Sequence, residues 1–270
     1  MEKFLTLNPS AKRLSYTVCG NGIPVMLVHG FAEDGSIWEN QRKALEPYFK
    51  LIIPDLPGSG KSEQLNEGSM EIFADTLHAI VVSENLQSLV MIGHSMGGYI
   101  TLAYAEKYAS SLSGFGLFHS SAYADDNEKI ETRRKGIRFI RENGSAKFLE
   151  QAIPGLFSEQ TKSSNPALVE EIIERYANFN PESLVQYYES MIDRPDRTKV
   201  LKESKSPVLF ILGTYDIAVP LNKALEQTHL PDISYIHICK SSGHMGMLEE
   251  SSQCNEILKM FINQSGRQQV

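Results

Sequence analysis

The sequence predicts an α/β fold, a mainly parallel, doubly wound sheet interrupted by one helical insertion. Three observations predict it: short apolar runs that end abruptly in small or polar residues, amphipathic stretches of helical spacing between most of them, and a central segment in which strands drop out. Size and composition agree. A chain of 270 residues fits one domain, or one domain with a sizeable insertion, and 41% hydrophobic with 22% charged residues excludes the disordered and fibrous classes.

At the N-terminus, residues 3–7 and 13–19 are separated by Asn8-Pro9-Ser10 and read as an antiparallel hairpin at the sheet edge. Buried strands are expected over residues 23–28, 51–54, 88–92, 114–118 and 207–212, with helices over 69–84 and 98–108 between them. A further strand over 234–239 alternates less regularly and precedes a final helix over 247–262. From about Ala122 to Ser204 helical patterns follow one another, with helices expected over 126–142, 146–152, 166–178 and 182–192. Asn165-Pro166 and Asn180-Pro181 each set a capping residue before a proline at the first helical position. Residues 1–121 and 205–270 therefore read as the core, and 122–204 as a helical cap.

A net charge of -7 argues against nucleic acid and anionic membrane surfaces as partners, because neutralising phosphate needs clustered Lys and Arg. Cys19, Cys239 and Cys254 are too few and too scattered for a disulfide framework or a zinc site, so they read as reduced. The N-terminal residues lack the apolar run of a signal peptide, and no stretch reaches the roughly 18 apolar residues of a membrane span. The expected compartment is the cytoplasm. A homodimer stays open.

The chemistry begins at Gly93-His94-Ser95-Met96-Gly97, which follows the apolar run Leu89-Val90-Met91-Ile92 and precedes a helical stretch. This is the strand, turn and helix context in which Gly-x-Ser-x-Gly presents a nucleophilic serine, and the helix behind it aims backbone N–H groups at developing negative charge. A serine hydroxyl is a weak nucleophile, so a general base and a group that orients it are required. Of seven histidines, His244 lies in the small-residue loop Ser242-Gly243-His244-Met245-Gly246 after the strand over 234–239, where the base is needed. His29 and His94 flank motif glycines and read as packing residues, while His78, His119, His229 and His237 have no comparable setting. Asp216 follows the strand over 207–212 through Gly213-Thr214-Tyr215 and completes the order serine, acid, histidine; Asp193, Asp196 and Asp232 are weaker candidates. Two oxyanion donors are expected, the backbone N–H of Met96 and that of Phe31, in the sharp His29-Gly30-Phe31 turn.

Together, Val28-His29-Gly30-Phe31, Asp55-Leu56-Pro57-Gly58-Ser59-Gly60-Lys61-Ser62, Gly93-His94-Ser95-Met96-Gly97-Gly98, Gly213-Thr214-Tyr215-Asp216 and Gly243-His244 make the sequence resemble the α/β-hydrolase superfamily, in its capped esterase, lactonase and carbon–carbon hydrolase branch. The resemblance implies an eight-stranded sheet with one antiparallel strand, a triad of Ser95, Asp216 and His244, a cap lining the pocket, and neither cofactor nor metal. Serine at 95 argues against the dehalogenase and epoxide hydrolase branches, which need a carboxylate nucleophile, and Phe31-Ala32-Glu33 departs from the proline iminopeptidases.

Two further signals are weighed against blander roles. Gly58-Ser59-Gly60-Lys61-Ser62 resembles the end of a phosphate-binding loop, but that motif needs glycine where Asp55 stands, so the loop reads as a core-shaping turn. Arg133, Arg134, Lys135, Arg138 and Arg141 read as a solvated helix face balanced by nearby acids, and the aromatics Trp38, Phe139, Phe148, Phe157, Tyr187 and Tyr188 read mainly as core. The expected partner is a small ester-like molecule, and the expected activity is carboxylic-ester hydrolysis. Cleavage of a carbon–carbon bond, lactone or thioester by the same residues, and a non-catalytic ligand receptor on this fold, are the alternatives.

Overall fold

The computed structural model describes residues 1–266. Eight strands form one sheet: β1 (Glu2–Thr6), β2 (Arg13–Cys19), β3 (Pro24–Val28), β4 (Lys50–Pro54), β5 (Leu89–His94), β6 (Leu112–Phe118), β7 (Val208–Gly213) and β8 (Ser234–Cys239). Their spatial order is β1-β2-β4-β3-β5-β6-β7-β8. β2 runs antiparallel to both neighbours and every other pairing is parallel, so the predicted edge hairpin and mainly parallel sheet are both present.

Burial explains why the central strands are continuous apolar runs in sequence. Every residue of β5, β6 and β7 is buried, as expected for parallel strands covered on both faces. β8 is a sheet edge with Ile236 and Ile238 exposed, which accounts for its weaker pattern. The helix Met70–Ser83 starts at Ser69, whose hydroxyl accepts the Ile72 N–H at 3.1 Å, and turns Phe73, Leu77 and Ile80 inward. The helix Met96–Tyr108 is buried along most of its length, and Ser251–Gly266 packs Leu258, Phe261 and Ile262 into the core.

Between β6 and β7 the described residues form helices and no strand. The helix Asn127–Ala152 breaks at Gly144, whose φ of 81° and ψ of 169° are not helical, between the two helices predicted there. Pro166–Tyr176 and Pro181–Ile192 follow the two Asn-Pro pairs. Asn180 caps as expected, accepting the Glu182 N–H at 2.9 Å, but the Asn165 side chain makes no capping bond. Asn165 also ends the preceding helix Glu159–Ser164, donating its N–H to Thr161 O, and its φ of -143° and ψ of 60° lie outside the extended conformation from which Asn180 caps. The ends of the insertion meet where the Arg197 N–H donates to Ala122 O at 2.7 Å, and the buried Arg197 guanidinium pairs with Glu106 and Glu71 on the core helices. Among the described residues, no helix is long and apolar enough to cross a membrane.

Candidate active site

The six parallel strands deliver their loops to one edge of the sheet, their carboxyl ends, where open α/β sheets form their ligand crevices. Ser95 leaves β5 with φ 49° and ψ -116°, a strained conformation for a residue with a Cβ. Two glycines make the turn possible. A Cβ on Gly93 would lie 2.2 Å from Gly97 O, and one on Gly97 would lie 2.4 Å from Val28 O, so a side chain at either site would force β5, its following helix and β3 apart. The Ser95 N–H donates to Phe118 O at 2.9 Å and the Ser120 hydroxyl donates to Ser95 O at 2.8 Å, which fixes the turn against the end of β6.

The structure brings Ser95, His244 and Asp216 into one hydrogen-bonded chain. Ser95 Oγ lies 2.9 Å from His244 Nε2, and His244 Nδ1 lies 2.8 Å from Asp216 Oδ2. The other oxygen of Asp216 accepts the N–H groups of Ala218 at 2.9 Å and Val219 at 2.8 Å. Burial would raise the Asp216 pKa, but the His244 charge and the bonds from His119 and His244 hold it well below the usual carboxylate range. Asp216 therefore stays an acceptor, His244 Nδ1 carries the proton, and Nε2 is left free to receive one from Ser95. Burial lowers the His244 pKa below 6.5 despite the opposing charge of Asp216, so the imidazole is neutral at neutral pH. The His244 N–H donates to Leu156 O at 2.6 Å, so the helical insertion anchors this loop.

Phe31 and Met96 flank the serine. Neither backbone N–H has a hydrogen-bond partner among the described residues, and Gly30 between them is so close that a Cβ there would lie 3.1 Å from Ser95 Cβ. Two unpaired donors beside the Ser95 hydroxyl are an arrangement able to receive a developing oxyanion. The Phe31 ring stacks on Tyr188 at 4.3 Å and meets Phe148 edge-on at 6.2 Å, tying the donor loop to the insertion. These groups surround a cavity of about 150 Å³ lined by Phe31, Ser95, Tyr99, Arg133, Tyr188 and His244, among others.

A family model for the alpha/beta hydrolase fold matches residues 23–127. A malate-bound thermophilic esterase from Thermogutta terrifontis superposes with a TM-score of 0.92 at 29% identity, covering 98% of this chain and 99% of that one. The chain has the α/β-hydrolase fold. It is also 26% identical to the pimeloyl-[acyl-carrier protein] methyl ester esterase of Vibrio cholerae, over 91% of this chain and 97% of that protein. It is 24% identical to the 2-hydroxy-6-oxononadienedioate/2-hydroxy-6-oxononatrienedioate hydrolase of Escherichia coli K12, over 96% and 95%. The relatives of this hydrolase thus include esterases and a hydrolase of 2-hydroxy-6-oxononadienedioate.

The site of this hydrolase also contains residues that the sequence does not single out. His119, at the end of β6, lies 3.2 Å from Asp216 Oδ2 through Nδ1, while its Nε2 accepts the Gly246 N–H at 3.2 Å. That amide fixes the tautomer, so Nδ1 donates and Asp216 receives two imidazoles. The position of His119 just past a parallel strand was the available signal, the same one that marks His244. His119, Asp216 and His244 are also the group of side chains, among the described residues, whose ligand atoms lie close enough to hold a metal ion; here those atoms bond one another or Ser95.

A second buried pair supports the donor loop. His94 Nε2 donates to His244 O at 3.0 Å, and Nδ1 lies 3.0 Å from Glu33 Oε2, which also accepts the Gly30 N–H at 2.6 Å. One proton is shared between Nδ1 and Glu33, and the pair joins the Gly30 turn, the Ser95 turn and the His244 loop. Burial would raise the Glu33 pKa, yet the His94 charge and hydrogen bond hold it below the ordinary glutamate value. His94 thus packs, as read from sequence, but on a partner 61 residues away. Elsewhere, the loop from Asp55 to Ser62 serves the core: Leu56 N and Ser59 Oγ meet His29 Nε2 at 2.9 and 2.8 Å, and Lys61 N donates to Asp55 Oδ2 at 2.9 Å.

Proposed function

We propose that the hydrolase is a serine esterase acting on small carboxylic esters through an acyl-enzyme. The observation that carries this reading is the Ser95–His244–Asp216 chain opening onto the cavity beside two unpaired backbone donors. His244 Nε2 takes the Ser95 proton as Oγ attacks the carbonyl carbon, and the Phe31 and Met96 N–H groups receive the oxyanion. Collapse breaks the bond to the leaving alkoxide, which takes the proton from His244. Water, deprotonated by the same nitrogen, then releases the acid and restores Ser95. The cavity lies below the roughly 300–1,000 Å³ of pockets that hold drug-sized ligands, which favours short acyl groups.

A second reading changes the bond and keeps the residues. Similarity to a hydrolase named for 2-hydroxy-6-oxononadienedioate, an oxo acid and not an ester, supports it. Turnover of p-nitrophenyl acetate and butyrate should exceed that of vinylogous diketones, lactones and thioesters in kcat/KM. Faster cleavage of a vinylogous diketone would favour the second reading. The pH profile supplies a further check. The base must be unprotonated, and burial lowers its pKa, so kcat/KM is expected to stay level down to about pH 6.5 and fall only below it. An acid limb centred above pH 7 would assign the base elsewhere.

A further inference from the structure

The basic run on the helix Asn127–Ala152 is not uniformly solvated. Arg138 and Arg141 are exposed, with side chains 57% and 56% accessible, and pair with Glu131 and Glu189 at the surface. Arg133 departs from the expected solvated face because the fully buried carboxylate of Asp125 draws it inward: its side chain is 12% exposed and Nε donates to Asp125 Oδ2 at 2.6 Å. Arg194 donates to the other oxygen of Asp125 at 2.9 Å, so two guanidinium groups share one carboxylate. Lys129, one helical turn before Arg133, donates to Ala218 O at 2.9 Å and has no carboxylate partner among the described residues. Both Lys129 and Arg133 line the cavity that holds Ser95 and His244, where the carboxylate of Glu33 is already engaged by the Gly30 N–H and His94.

The polar groups around these cations are left unused. Arg133 Nη1 has no hydrogen-bond partner among the described residues. Nor has the hydroxyl of Tyr99, a residue only 3% exposed that lines the same cavity, with the Arg194 guanidinium 3.8 Å from its ring centre. The Tyr188 hydroxyl is likewise unpaired among them, and its ring centre is 5.6 Å from the Arg133 guanidinium. Burial would raise the Tyr99 pKa, but Arg194, Lys129 and Arg133 overcome it and bring it below the ordinary tyrosine value, as positive charge at the cavity wall would. Uncompensated buried charge is unfavourable, and a neutral ester offers it nothing.

We propose that this wall is an anion subsite, and that the substrate is a short monoester whose acid part carries a second carboxylate, received by Arg133 and Lys129 with the Tyr99 and Tyr188 hydroxyls. The proposal rests on the ester-cleaving reading above and adds the substrate class. The cavity volume of about 150 Å³ restricts that class to acids of a few carbons. The reacting ester then sits at Ser95 while the anion is held at the opposite wall, so charge recognition sets which end of the molecule reacts.

Monomethyl succinate and its carboxamide isostere, methyl succinamate, test this directly. Wild-type enzyme is expected to favour the carboxylate at least about tenfold in kcat/KM, from one or two charge-assisted hydrogen bonds. Arg133→Gln is expected to remove that preference. Lys129→Met, which leaves the Arg133–Asp125–Arg194 cluster in place, is expected to cut it about threefold. A wild-type ratio near one, or a ratio unmoved in both variants, overturns the proposal. Succinate titration by calorimetry separates the two readings. If Ser95 proves inert, the esterase reading fails while succinate binding that Arg133→Gln abolishes still supports the subsite; no binding to the wild-type protein overturns it.

Discussion

Replacing Ser95 by alanine is expected to lower kcat on p-nitrophenyl acetate by about 10⁶-fold, and replacing His244 by alanine to do nearly as much. The two losses should not add. Oγ is useful only while Nε2, 2.9 Å away, removes its proton, so the double variant should be about as slow as either single one. Alanine at 95 relieves none of the strain at φ 49°, since the Cβ remains, and it removes one hydrogen bond. The variant should therefore fold, and its circular dichroism and melting temperature should match the parent closely. Steady-state kinetics on purified variants measures the loss; activity within about tenfold of the parent would remove Ser95 from the chemistry.

Asp216→Asn is expected to cost roughly 10⁴-fold in kcat with the backbone unmoved. The direction follows from the bonds around the carboxylate. One oxygen receives the amides of Ala218 and Val219, so the asparagine oxygen must stay there and its NH₂ must face His244 Nδ1. An NH₂ donates, which forces Nδ1 to become the acceptor and puts the imidazole proton on Nε2, facing Ser95. The base is then in the wrong tautomer. The same NH₂ group also faces His119, whose Nε2 is already occupied by the Gly246 amide, so a second mismatch adds to the first. Pre-steady-state kinetics should show slow acylation; a loss below about tenfold would mean that the carboxylate does not set the tautomer.

The parts of this molecule that sequence reveals are those where one residue type has one physical use. β3, β5, β6 and β7 are visible because strands buried on both faces are apolar runs ended by a turn; Ser95 and Asp216 are visible because each stands just beyond such a run within three residues of a glycine, and His244 because it follows Gly243 in the small-residue loop after β8. The helices Glu159–Ser164 and Leu221–Leu225 are too short to show a periodicity in the sequence. His119 follows β6 without a flanking glycine. Glu33 has no local signature at all, because its meaning lies in His94 across the sheet edge. Arg133 reads as part of a solvated face because charge spacing along a helix does not reveal which cation a buried carboxylate will draw inward, and here that carboxylate is Asp125.

The central claim is that Ser95 is a reactive nucleophile, and labelling with a fluorophosphonate followed by peptide mapping tests it most directly. The hydroxyl should attack phosphorus and expel fluoride, leaving one phosphonyl group on the peptide that contains Gly93-His94-Ser95-Met96-Gly97, with labelling suppressed in His244→Ala and prevented by a competing short ester. An unlabelled Ser95 in the folded wild-type protein, or label that appears equally with and without His244, would contradict it.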